Sequence, residues 1–290
     1  MTTTTPPGKG QAPEPTATTA FAALAVRRSR KRNVKVRPIL LGAAGVVALM
    51  IILEVVSRLE IVDPTFLPPF SVVLGQMFAL FGDPKFLGDI GSTAITWLIG
   101  LTLSAVVAIP VGILLGLSEA SYRATRTVIE LVRTLPAVAL IPLVILVAGN
   151  GIEMKLIVAV YAAMWPILFN TIYGVHGTDP KAKEMGRSFG LSRFAITRRI
   201  VIPSAAPFVA TGIRVSSSIV LIVIITVELI AGGATGVGAF ISQMRVQGDR
   251  ITEVYAGILV AGLLGLVINV ILGVIERRLF AWDTTTRGGV

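Results

Sequence analysis

The chain has 290 residues, 54% of them apolar and only 14% charged, with a mean hydropathy of +0.83 and a net charge of +10. A soluble domain of this length is about one-quarter charged, so the composition excludes an ordinary soluble fold and makes the bilayer the natural solvent. Absent cysteine excludes disulfides and thiolate metal sites. The basic residues gather in short stretches beside apolar runs, which marks membrane orientation and argues against a nucleic-acid partner.

Met1–Ala25, rich in Thr, Pro and Ala, has little to bury and is expected to be disordered. Arg27–Arg37 is a dense basic block ahead of the first apolar run. That run, Ile39–Val56, is longer than the core of a signal peptide and no small-x-small cleavage site follows it, so it reads as an uncleaved first span. Further spans follow at Ile90–Leu117, Val128–Ala148, Met154–Gly174, Ala205–Ala231 and Glu253–Ile275, each about 20 residues or slightly longer, enough for a hydrocarbon core of ~30 Å. The expected fold class is all-α: a polytopic membrane protein with six transmembrane helices over 38–280, a basic tail over 1–37 and a short tail over 281–290. Pro110, Pro136, Pro142 and Pro166 lie inside spans, where neighbouring helices can satisfy the freed carbonyls. Gly112 and Gly116 form a GxxxG step that allows close helix approach.

Two apolar pieces are too short to span. Leu67-Pro68-Pro69 leads into an interfacial helix, Val72–Leu80, with Ser71 as its N-cap. Gly238–Gln247 follows the glycine-rich run 232–236. His176, flanked by Gly174 and Gly177, reads as a helix-end residue without partners for a metal.

Orientation follows from Lys and Arg. The Gly177–Pro203 loop holds Lys181, Lys183, Arg187, Arg193, Arg198 and Arg199 against Asp179 and Glu184, whereas Ser57–Asp89 holds Arg58 and Lys85 against Glu60, Asp63, Asp83 and Asp89. Six spans put the basic N-terminal block, the Gly177–Pro203 loop and Arg277–Arg278 on one side. That side is expected to be the cytoplasm, with both termini on it.

The same loop carries the most specific pattern. Ala182, Met185, Gly186 and Phe189 share one helical face at i, i+3, i+4 and i+7. Gly190 fits a C-terminal stop, Ser192 caps a second short helix reaching Arg199, and Pro203 breaks the chain before the fifth span. On residue types alone, docking into a partner's groove and lying on lipid headgroups are equal readings. The spacing is Glu184-Met185-Gly186, three residues, Gly190, nine residues, Ile200, one residue, Ile202-Pro203. This resembles the cytoplasmic "EAA" loop of permease subunits from bacterial ATP-binding-cassette importers, with Met185, Gly186 and Ile202 departing from the usual residue types. Arg133-Thr134-Leu135-Pro136, Ile141-Pro142-Leu143 and Gly149-Asn150-Gly151 resemble the third-span pattern of nitrate, sulfonate and taurine-type permeases, although Ala137 and Ala148 stand where that pattern has a proline and an aromatic. Leu67-Pro68-Pro69, Gly112 to Gly116, and Glu228 with Gly236-Val237-Gly238 fall in family order, so the likeness covers about Leu67 to Phe280.

The resemblance implies that Ala182, Glu184, Met185, Gly186, Phe189 and Gly190 form an ATPase-docking coupling helix supported by Ile200, Ile202 and Pro203. It also implies a homodimer with a second permease subunit, two ATP-binding subunits inside, and an extracytoplasmic solute-binding protein outside. The bacterial cell membrane is the implied location. No cofactor is expected of this chain, ATP being bound by the partner: the sequence has no G-x-x-x-x-G-K-[ST] loop, and Gly8-Lys9-Gly10 is no substitute. Nor does it have a G-x-S-x-G elbow or an H-E-x-x-H helix, so an intramembrane enzyme is disfavoured.

Intramembrane charges are functional candidates by default. Arg214, Ser217, Ser218, Leu221, Ile225 and Glu228 lie on one face of the fifth span and are the candidate translocation-pathway set. Arg214 and Glu228 are ~21 Å apart along the axis, so each needs a partner elsewhere. For Arg214 a structural or gating role is favoured over substrate contact; for Glu228, near the outer end, a solvated or loop-anchoring carboxylate is favoured. Arg133 is the expected neighbour of Glu130 one turn earlier. Asn170, Trp165 and Ser216 are weaker pathway candidates. The rival reading, a stand-alone secondary transporter or channel, predicts more paired intramembrane charges or broken-helix repeats.

Overall fold

The computed structural model describes residues 36–63, 65–232 and 235–279, with side chains from Leu40 onward. The expected disordered tail up to residue 35, the tail over 281–290, Phe280 and Gly233 lie outside the described residues. The described residues are helical and contain no strand. The chain divides at Asp63. The first unit holds α1 (Val36–Arg58), apolar along its length and closed by an Arg58–Glu54 ion pair of 2.6 Å at its last turn.

The second unit contains ten helices among its described residues: α2 (Phe70–Leu80), α3 (Pro84–Leu117), α4 (Glu119–Arg133), α5 (Ile141–Ala148), α6 (Ile152–His176), α7 (Pro180–Ser188), α8 (Arg193–Ile196), α9 (Ile202–Ala231), α10 (Val237–Gln247) and α11 (Ile251–Leu279). Its heart is α3, α6 and α9, whose buried Ala108, Val158, Ala163, Ile167, Val220 and Ile224 form one apolar cluster. The GxxxG step works as expected. A Cβ on Gly112 would come 2.7 Å from Thr171 Cβ, and one on Gly116 would come 2.7 Å from Val175 Cβ, so α3 and α6 meet at backbone distance. Lipid tails are as apolar as leucine, and close packing at small residues is therefore what holds such helices together. A second cluster, including Met77, Phe86, Phe240, Ile241 and Val254, joins α2, α10 and α11 to the start of α3.

Among the described residues, five single helices are long and apolar enough to cross a membrane, and a sixth crossing exists if α4 and the following segment count as one. The expected continuous span Val128–Ala148 is thus corrected. Between α4 and a 3-10 turn at Ala137–Leu140 the axis bends by 75°. Pro136 lacks an N–H and drives Leu135 out of the helical region. The carbonyls left at the bend find the Tyr161 hydroxyl of α6, 2.5 Å from Val132 O and 3.2 Å from Leu135 O. Pro142 is placed where a proline is tolerated, in the first turn of α5.

Pro203 also departs from expectation. It does not break the chain: Arg193–Ala231 runs as one helix of 39 residues. A π turn at Thr197–Val201 widens the ladder just before Pro203, which then occupies a first-turn position where its missing N–H matters least. Ser71 sits inside the first turn of α2, whose cap position is Pro69.

Candidate functional site

Two polar sites lie at opposite ends of the long Arg193–Ala231 helix. At its start, α7 is a nine-residue helix defined by its caps. Asp179 accepts from Lys181 N at 2.9 Å. At the other end Leu191 N donates to Gly186 O at 3.0 Å and Gly190 N to Arg187 O at 2.9 Å. These are the paired bonds of a Schellman ending, which needs a left-handed residue, and Gly190 has φ +75°. Ser192 caps α8 by accepting from Ala195 N at 3.2 Å.

The stripe of apolar residues read from the sequence is divided by the structure. Gly186 is buried, and a Cβ there would lie 2.9 Å from Ile200 Cδ1 and 3.3 Å from Ile196 Cγ1. Ala182 is half-buried beside it. Met185 and Phe189 instead stand out, 60% and 81% exposed, and Phe194 from α8 joins them at 75%. Glu184 is exposed and makes no ion pair among the described residues. Of the expected supports, Ile200 touches the seat of Gly186, whereas Ile202 and Pro203 are exposed. The buried supports are Ile196 and Val201, packed with Val175 and Ala205. Sequence reasoning misses Phe194 and Ile196, although their i, i+2 placement behind the Ser192 cap is a readable sign that the second short helix has two apolar sides.

At the far end of α9, Glu228 is fully buried. Three donors converge on its carboxylate: Lys155 Nζ of α6 at 2.9 Å, Thr93 Oγ1 of α3 at 3.0 Å, and Gly238 N of α10 at 3.0 Å. Lys155, itself almost wholly buried, also donates to Thr235 O at 2.9 Å. Thr93 Oγ1 accepts from Val237 N at 2.9 Å, and Asp89 Oδ1 accepts from Gly236 N at 2.8 Å. Gly236 has φ +124°, and a Cβ on it would strike the Glu228 carboxylate. Of the two readings of Glu228, loop anchoring is the one realised, and it is a buried anchor with a lysine partner that the sequence does not identify.

The remaining pathway candidates do not form one line. Arg214 is partly exposed and pairs with α11, its Nη1 3.1 Å from Glu276 Oε2 and its Nε 3.2 Å from Asn269 Oδ1. The pair flanks an apolar cavity of about 290 Å³ between α3, α9 and α11, walled by Ile109, Val209, Ile213 and Leu272. Ser217 and Leu221 are buried, Ile225 is half-buried and Ser218 is exposed. Ser217 O accepts from Trp97 Nε1 at 3.0 Å, and Ser216 Oγ donates to Ala163 O at 2.6 Å. Asn170 donates to Pro166 O within its own helix, and Trp165 Nε1 has no partner among the described residues. The expected Arg133–Glu130 pairing is corrected: Glu130 bonds Arg126 at 2.7 Å, and Arg133 lies 4.9 Å above the Phe169 ring.

Residues 108–281 match the model of a family described as binding-protein-dependent transport system inner membrane component. A Methanocaldococcus jannaschii protein carrying an inferred ABC transporter permease designation is 31% identical over 240 residues, covering 81% of this chain and 89% of the relative. The taurine transport system permease protein TauC of Escherichia coli is 26% identical over 261 residues, 88% of this chain and 94% of its own. In fold, the chain is similar to a solved bacterial ABC transporter involved in import of the acidic polysaccharide alginate, with a TM-score of 0.55 at 18% identity, covering 88% of this chain and 99% of that one.

Proposed function

The chain belongs to the family of inner-membrane components of binding-protein-dependent transport systems, the permease subunits of ATP-binding-cassette importers, and from that premise we propose how its two ends are used. The α7 end faces the cytoplasm, with both chain termini. There Met185, Phe189 and Phe194 enter a groove of an ATP-binding subunit, and Glu184 and Gly190 shape the helix that presents them. Two such subunits serve a homodimer of this chain in the bacterial cell membrane, and a soluble binding protein delivers solute at the opposite face. ATP is bound and hydrolysed by the partner alone. The solute is a small anion or zwitterion of the sulfonate, taurine or nitrate class.

The observation that carries this reading is the exposure of Met185 and Phe189 on a helix capped at both ends and seated through Gly186. Apolar side chains this exposed on a short helix rich in Lys and Arg are anchors in need of a pocket. Exposed Met and Phe on a Lys- and Arg-rich helix would also suit lying on lipid headgroups; the family membership is what favours docking. The bundle does hold two charge pairs, Lys155–Glu228 and Arg214–Glu276, and one bent span, but the family membership goes against a stand-alone secondary transporter.

The test is the double variant Met185→Glu/Phe189→Glu in cells and in purified membranes, with the ATP-binding and binding-protein subunits co-expressed. The expected result is normal insertion, loss of the ATP-binding subunit on purification, and loss of uptake. Retention of that subunit with normal uptake would place docking elsewhere.

A further inference from the structure

The network around Glu228 sits at the end of the longest helix among the described residues, Arg193–Ala231. The Arg193–Ala231 helix begins beside the seat of α7, where Ile196 and Ile200 touch Gly186, and ends one turn beyond Glu228. At 1.5 Å per residue it is a rod of ~58 Å. Whatever moves α7 pushes on one end of it. At the other end, one carboxylate collects α3 through Thr93, α6 through Lys155 and α10 through Gly238. Gly236 is held in turn by Asp89 and Thr235 by Lys155, with Ser92 Oγ 3.1 Å from Thr235 Oγ1. The network is also the seam between the apolar cluster of α3, α6 and α9 and that of α2, α10 and α11. In a bilayer such clusters have no hydrophobic drive to hold a register, so directional bonds decide which elements move together.

We propose that Glu228, Lys155 and Thr93 are positioning residues that form the output joint of this rod. They clamp α10 to the far end of α9, so that displacement of α7 moves α10 with α9. The inference rests on α7 receiving the ATP-binding subunit. Its expected signature is specific: breaking the joint separates ATP hydrolysis from transport. A purely structural role would lower both in proportion to the amount of folded protein.

The assembled importer, reconstituted with its ATP-binding subunits and binding protein, is assayed for solute moved per ATP hydrolysed. Lys155→Met is expected to keep ATP hydrolysis within about two-fold of the unmodified protein and to lower solute moved per ATP at least ten-fold. Thr93→Val, which removes one hydroxyl and keeps the ion pair, carries the test if the Lys155 variant is not recovered from membranes, with a smaller drop in the same direction. An unchanged ratio in the variants, or hydrolysis and transport lowered in equal proportion, would overturn the joint. An unmodified assembly that neither binds the ATP-binding subunit nor transports would instead count against the docking reading on which it rests.

Discussion

Replacing Gly190 by valine is expected to loosen α7 while sparing the rest of the fold. Gly190 has φ +75°, and a β-branched residue forced into that region costs about 1–2 kcal/mol. The strain acts on the two bonds that end the helix, from Leu191 N to Gly186 O and from Gly190 N to Arg187 O, each worth about 0.5–1.5 kcal/mol. A local loss of about 2 kcal/mol is roughly a 30-fold rise in the open population of a nine-residue helix that is marginal by itself. The α3, α6 and α9 packing does not involve this residue, so insertion and global melting are expected to stay within error. Amide exchange over residues 181–189 should accelerate by about that factor, with loss of the ATP-binding subunit and of uptake. Gly186→Ala is the control. Its new Cβ meets the terminal methyl of Ile200, which can rotate away for about 0.5–1.5 kcal/mol, against a helix-propensity gain of about 1 kcal/mol. It should be nearly neutral. Gly190→Val with unchanged exchange and normal uptake would refute the claim that this turn sets the docking geometry.

Glu184→Lys should leave the subunit inserted and stable but weaken the ATP-binding subunit's association, read by co-purification, because the carboxylate is exposed and free to meet a basic partner. Gly112→Leu and Gly116→Leu should each lower thermal stability in detergent by the equivalent of about 1–3 kcal/mol, since Thr171 and Val175 leave no room for a Cβ. An alkaline phosphatase reporter fused after Gly248 should be active and one after Phe189 inactive; the reverse would invert the topology.

What can be read in the sequence is whatever depends on near neighbours. The cap at Ser192, the positive-φ glycine at 190 and the small-residue step at 112 and 116 are local patterns, and the structure holds each of them; Asp179 as the cap of α7 is added by the structure. The bend after Arg133 is hidden by apolar residues on both sides of Pro136, which hydropathy adds into one span. The continuity through Pro203 is hidden for the opposite reason: a proline reads as a stop unless a π turn precedes it, and such turns have no composition of their own. Hardest to foresee is the Glu228 site, because its partners Lys155 and Thr93 lie 73 and 135 residues away in sequence. Lys155 reads as a charge at the start of a span, and Thr93 as one hydroxyl among many.

A last argument concerns the Glu228 pair as a matter of stability. With Lys155→Met the Glu228 side chain keeps Thr93 and Gly238 but is left wholly buried without its ionic partner, and removing one partner of a buried pair destabilises by about 3–5 kcal/mol. Adding Glu228→Gln to it removes the second charge at equal volume and still lets the amide oxygen accept from Thr93 or Gly238. The double variant should therefore melt closer to the unmodified protein than Lys155→Met does, in detergent and in nanodiscs. Yet it has lost the ionic bond between α6 and α9, so its transport per ATP should remain low. Stability and coupling then part company in one protein carrying two substitutions. If the double variant recovers both together, the ion pair serves only to hold the bundle together, and the ends of the rod are joined by packing alone.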